Sequence, residues 1–141
     1  MPLDEIQAEI EKDSKIDNNK LDTESLCIPM LHSKYYNIFI AELRILKGVE
    51  LEYRRIKKER HQYYLGQAKD EIYKEEPLQL KILRQDLELY LDADPILSDL
   101  KSKFEVQKMK TELVESFVKT LNTRNFLIKN ALEFIRFKNG G

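Results

Sequence analysis

The chain has 141 residues, a net charge of −1, 42% apolar and 35% charged residues. That length allows one domain or two small lobes, and four glycines are too few for a β-sandwich or barrel. A lone cysteine, Cys27, excludes an internal disulfide framework, and no apolar run nears the roughly 20 residues of a transmembrane helix.

The opening MPLDEIQAEIEKD is acidic and polar, the reverse of a signal peptide. Leu3, Ile6 and Ile10 share one helical face, which must dock because so short a helix is marginal alone. Asp13 to Leu21 reads as a polar connector. From about Thr23 to Leu65 the pattern is one long helix, capped by Asp22 or Thr23. Pro29 predicts a kink or a true start near residue 28, and Gly66 is placed to cap the end. Gly48, tolerated inside the helix, predicts a close helix crossing. Cys27 fits a reducing cytosol and fills helical packing space.

On a helical wheel Ile38, Ile45, Leu46, Val49, Tyr53, Ile56, Tyr63 and Tyr64 fall on one arc. Arg44, Lys47, Arg54, Arg55 and Lys58 fall on another, far from the first. Arg60 lies inside the apolar arc, where a core would not bury it unpaired. The stripe is therefore expected to stop being core near residue 57, with Arg60, Tyr63 and Tyr64 emerging together at the helix end.

Gln67 to Glu76 reads as a polar linker whose acids, Glu75 and Glu76, are solvated. A further helix is expected from Pro77 through Leu80, Leu83, Leu87 and Leu91. LDADP ends it, and Asp94 with Pro95 starts the last helical segment, Ile96 to Lys138. Asn122 to Asn125, NTRN, is a possible break. The tail FLIKNALEFIRF is apolar on most sides, so it belongs in a core or between subunits. Its C-terminal position and its cations favour the subunit interface.

The near-zero net charge hides segregation. Arg44 to Lys69 holds eight Lys or Arg against three acids, whereas Asp70 to Asp99 holds nine acids against three basic residues. Such a chain can present a basic face. In RRIKKERHQYYLG, Arg54 to Gly66, five of the first seven residues are Lys or Arg and two tyrosines follow. Cations for phosphates and rings for bases are what a single-stranded nucleic acid requires. The candidate DNA-binding residues are Arg54, Arg55, Lys57, Lys58, Arg60, Tyr63 and Tyr64. No Gly-rich phosphate loop exists, and His32 and His61 lack metal-ligand spacing, so no catalytic residue, metal or cofactor is expected.

These residues together resemble the UvsY family, recombination mediators of T-even-type bacteriophages. The resemblance rests on LDEIQAEIEKD…ID..KL, on Ser33 and Lys34, and on the K.R..YY.G pattern of Lys58, Arg60, Tyr63, Tyr64 and Gly66. It is completed by the tail LNTRNFLIKNALEFIRF, and is weakest over residues 67 to 100. It implies a non-enzymatic protein that binds single-stranded DNA, a phage single-stranded-DNA-binding protein and a RecA-like recombinase of the UvsX type. It also implies a homo-oligomeric ring, a hexamer or similar, assembled through the C-terminal region in the cytoplasm of the infected host. The family's DNA-contacting basic residues carry over to Lys58 and Arg60.

The expected fold is all-α, with long amphipathic helices. A hairpin-like N-terminal DNA-binding region spans 1–66, a linker 67–76, and a C-terminal oligomerisation region 77–141. Phe117, Leu121, Phe126, Ile128, Leu132 and Ile135 are the expected oligomerisation residues. The expected function is loading of the recombinase onto covered single-stranded DNA, in recombination, repair and recombination-dependent replication. Two rival readings are a coiled-coil adaptor that binds protein partners and no DNA, and an enzyme subunit, whose mark would be a buried polar cluster.

Overall fold

A computed structural model describes residues 1–78 and 80–140. The described residues form helices and no strand, in accord with the all-α expectation: α1 (Leu3–Ser14), α2 (Leu21–Leu26), α3 (Ile28–Tyr64), α4 (Asp70–Glu75), α5 (Leu87–Asp92) and α6 (Pro95–Lys138), with a 3-10 turn at Arg84–Asp86. The contacts divide the chain into two units, residues 1–44 with 108–141 and residues 45–107. This differs from the division into 1–66, 67–76 and 77–141, because both α3 and α6 contribute to each unit.

In the first unit, Ile6 from α1, Tyr35 from α3 and Val114, Phe117, Val118 and Leu121 from α6 form one core cluster. Ile10, Leu31, Ile38, Phe39 and Leu113 pack around it. Tyr35 is fully buried and meets the Phe117 ring edge-on at 4.6 Å, the geometry that aromatic quadrupoles favour. Its hydroxyl donates to Asp13 Oδ2 at 2.7 Å, and Lys34 Nζ bridges Glu9 and Asp13, each at 2.7 Å. These bonds dock α1 on α3. Buried Glu42 is met by Lys110 Nζ at 3.3 Å.

In the second unit, Leu87, Leu91 and Leu97 form a core against which Tyr53, Ile56, Tyr64 and Leu65 pack. Gly66 has φ 75°, the left-handed conformation that glycine adopts without steric cost. Gly66 N donates to Tyr63 O at 3.1 Å, and Gln67 N to Gln62 O at 2.9 Å. This Schellman pair closes α3.

Several expectations are corrected. Thr23 and Asp22 lie inside α2, and the long helix starts at Ile28. Nothing lies within 4 Å of a Cβ built on Gly48, so no close crossing occurs there. The stretch read as a linker contains α4. The helix expected from Pro77 is confined to α5 after the 3-10 turn. Its leucines at 80 and 83 are exposed rather than packed, so nothing there offsets the entropy of ordering a helix. Gln79, within that expected helix, and Gly141 lie outside the described residues. No break occurs at 122–125, where α6 is continuous. Arg124 explains this, because it turns inward and its guanidinium bonds Asp13 O at 2.6 Å, Lys15 O at 3.0 Å and Glu24 Oε2 at 3.1 Å.

Candidate nucleic-acid interface

The basic stretch sits on α3 within the second unit. Arg54, Arg55, Lys57 and Lys58 are exposed. Residues three and four apart on a helix are surface neighbours, so Arg54, Lys57 and Lys58 form one patch, with Arg55 beside Lys58. Arg54 Nη2 bonds Glu50 at 2.8 Å, and Arg55 meets Glu59 at 3.6 Å. Exposed pairs of this kind contribute about 0–1 kcal/mol and are screened by salt. A phosphate can displace them. Lys57 and Lys58 pair with no acid among the described residues, which leaves both charges available to an anion.

Arg60, Tyr63 and Tyr64 do not emerge together. Arg60 is 8% exposed and Tyr63 4%. Arg60 Nε donates to Asp94 Oδ2 at 2.7 Å, while Nη1 and Nη2 form a fork onto Glu76 at 2.9 and 3.0 Å. The guanidinium also lies 4.3 Å from the Tyr63 ring centroid and 5.3 Å from that of Tyr64. A planar cation with two carboxylates and two ring faces around it satisfies the burial condition that the sequence left open. Glu76, expected to be solvated, is the carboxylate in the fork.

The two tyrosines are equally engaged. Tyr64 Oη donates to Asp94 Oδ2 at 2.7 Å, and Tyr63 Oη donates to Glu76 O at 3.1 Å. Tyr73 stacks on Tyr63 at 5.4 Å and donates its hydroxyl to Tyr63 O at 2.8 Å. The other oxygen of Asp94, Oδ1, accepts from Ile96 N at 2.9 Å and Leu97 N at 3.1 Å, which caps α6. Burial opposes ionisation of Asp94, but the bonds from Tyr64, Leu97 and Arg60 outweigh it and hold its pKa below the usual carboxylate range. Burial, then Asp94, pushes the Tyr64 phenol up. For Tyr63 the causes are burial, then Glu76. This is a buried polar cluster, but its groups are mutually satisfied. It locks the end of α3 to α4 and to the start of α6, and so fixes the helix that carries the exposed cations. Sequence reading missed Glu76, Tyr73 and Asp94 as partners; the Asp-Pro pair signalled the cap alone.

The expected oligomerisation residues also separate. Phe117, Leu121 and Ile128 are buried within the chain, the first two in the core of the first unit, so they are already occupied. Phe126 is 61% exposed and Phe137 82%, and Leu127, Leu132, Phe134 and Ile135 are exposed with them. That leaves the end of α6 with apolar side chains open to solvent.

No helix among the described residues is long and apolar enough to cross a membrane. Among the described residues no group of three or more His, Cys, Asp or Glu is placed to hold a metal.

No curated protein matches the sequence. Crystal structures of the bacteriophage T4 recombination mediator protein UvsY share the fold. One superposes with a TM-score of 0.86 at 23% identity, covering 100% of this chain and 99% of that one. Two other lattice forms give TM-scores of 0.84 and 0.81 at 22% identity, covering 95% and 98% of this chain and 98% and 99% of those chains. The family profile described as "Recombination, repair and ssDNA binding protein UvsY" matches residues 9–141. The chain belongs to the UvsY family.

Proposed function

We propose that this chain binds single-stranded DNA through the exposed basic face of α3 and helps load a RecA-like recombinase onto DNA covered by a single-stranded-DNA-binding protein. It would serve phage recombination, repair and recombination-dependent replication in the host cytoplasm. The observation that carries the reading is the row Arg54, Arg55, Lys57 and Lys58, exposed on one rigid helix in a chain whose family is described by single-stranded-DNA binding. Arg60, Tyr63 and Tyr64 hold that helix in place rather than meet the strand.

A few cations bind a strand weakly. Copies joined into a ring through the exposed side chains of the α6 end would act at high effective concentration once the first had bound. A strand led around such a ring is bent, and a bent strand is held less well by a resident binding protein and is open to a recombinase. The T4 protein's description as a recombination mediator supports this step.

The test is single-stranded-DNA binding over a salt series, on a sample whose mass is fixed by light scattering. Tight binding by an oligomer that falls steeply with salt is expected, since each phosphate contact releases counterions. Absence of binding at low salt would leave a helical adaptor for protein partners.

A further inference from the structure

Within the second unit α3 and α6 enclose a cleft of about 340 Å³, at the low end of the roughly 300–1,000 Å³ of small-ligand sites. Tyr53 from α3 and Phe104 from α6 line it, with Arg54, Lys57 and Lys101 around them. Tyr53 and Lys57 lie one helical turn apart on α3, and Lys101 and Phe104 three residues apart on α6, so each pair shares a face. We infer that this cleft takes a base of the bound single strand between Tyr53 and Phe104, with the flanking phosphates on Lys57, Arg54 and Lys101.

Three observations favour a nucleotide over an aliphatic or peptide occupant. The lining supplies two rings, and aromatic stacking accepts any base because every base has a π-face. The charge at the cleft is net positive: Arg54, Lys57 and Lys101 face the two carboxylates Glu50 and Glu105, and Lys47 also reaches Glu50 at 3.6 Å. Lys57 and Lys101 have no ion-pair partner among the described residues. Finally, Arg54 and Lys57 belong both to the cleft and to the exposed basic face, so a strand on that face passes the cleft mouth. Phe104 and Lys101 carry no nucleic-acid signal in the sequence, being about 50 positions from Tyr53. The inference rests on the proposal that the chain binds single-stranded DNA.

The experiment compares an oligothymidylate with an abasic strand of equal length and equal phosphate number, at fixed salt, on the full-length oligomer. The wild-type chain is expected to prefer the base-bearing strand by about tenfold or more. Phe104→Ala, and Phe104→Leu, which keeps apolar bulk without a ring, should lower affinity for the base-bearing strand to near that of the abasic one. Abasic binding should stay unchanged in both variants. Equal wild-type affinity for the two strands would overturn the cleft assignment and leave the DNA-binding proposal standing. So would a preference that survives both substitutions, or a Phe104→Leu chain that loses both strands alike, since the ring would then be structural. Failure to bind either strand would overturn both.

Discussion

Arg60 and Asp94 stand 34 positions apart in the chain and meet at 2.7 Å, Nε to Oδ2, with side chains only 9% and 0% exposed. Asp94 thus joins two helices: one oxygen caps α6 and the other closes the end of α3 through Arg60 and Tyr64.

Replacing Arg60 with Ala leaves that buried carboxylate without its cation. The expected cost is about 3–5 kcal/mol, read as a lower midpoint in urea or thermal unfolding. Lys58→Ala should keep the midpoint within about 0.5 kcal/mol yet weaken DNA binding and flatten its salt dependence. An Arg60→Ala chain as stable as wild type would remove the locking role assigned to Arg60.

The exposed α6 end lets assembly be tested apart from folding. Leu132→Glu combined with Phe134→Glu alters only exposed positions. Light scattering should then give a smaller species with helix content retained, and DNA affinity should fall with the lost multivalency. Leu121→Ala, in contrast, empties a core position and should cost about 2–5 kcal/mol of stability. Truncation from Phe126 onward would confuse the two effects, because it removes buried Ile128 as well. An unchanged mass for the double Glu variant would show that another surface joins the subunits.

Arg124 ties α6 to the last turn of α1 through Asp13 O, to the connector after it through Lys15 O and to α2 through Glu24. Arg124→Ala strands those acceptors and should cost about 2 kcal/mol or more. Amide exchange should quicken over residues 15–20, the segment those bonds hold, before it does in α3. Uniform acceleration throughout the chain would mean that the connector has no separate anchorage.

Stability should form a plateau between about pH 4 and pH 10. Asp94 and Asp13 have lowered pKa values despite burial, Asp13 through its bonds from Lys34 and Tyr35. Below about pH 4 the unfolded chain takes up protons that the folded carboxylates still refuse, so stability falls with falling pH. Tyr35, Tyr63 and Tyr64 are raised, chiefly by burial. Above about pH 10 the unfolded chain loses phenolic protons that the folded one keeps, so stability falls with rising pH. Unfolding midpoints across pH 3–11 that stay flat at either end would contradict the corresponding network.

The sequence alone determined what depends on neighbours a few positions away. Helical class, the glycine stop at Gly66 and the cap at Asp94 all follow from periodicity and short-range capping bonds, and the fixed φ of Pro29 narrowed the choice near residue 28 to a kink or a start. The exposure of Lys58 on a basic arc belongs with these. Tertiary structure alone decided which ambiguous residues turn inward. An arginine on an apolar arc is equally consistent with a helix end in water and with a buried pair, and its partners Glu76 and Asp94 lie 16 and 34 positions away. A tail apolar on most sides does not say which side its own core takes. The packing of α1 and α3 against α6 buried Phe117 and Leu121 and left Phe126 outside. The physical reason is common to both cases: burial is set by what meets a side chain across the fold, and local sequence records only the capacity for it.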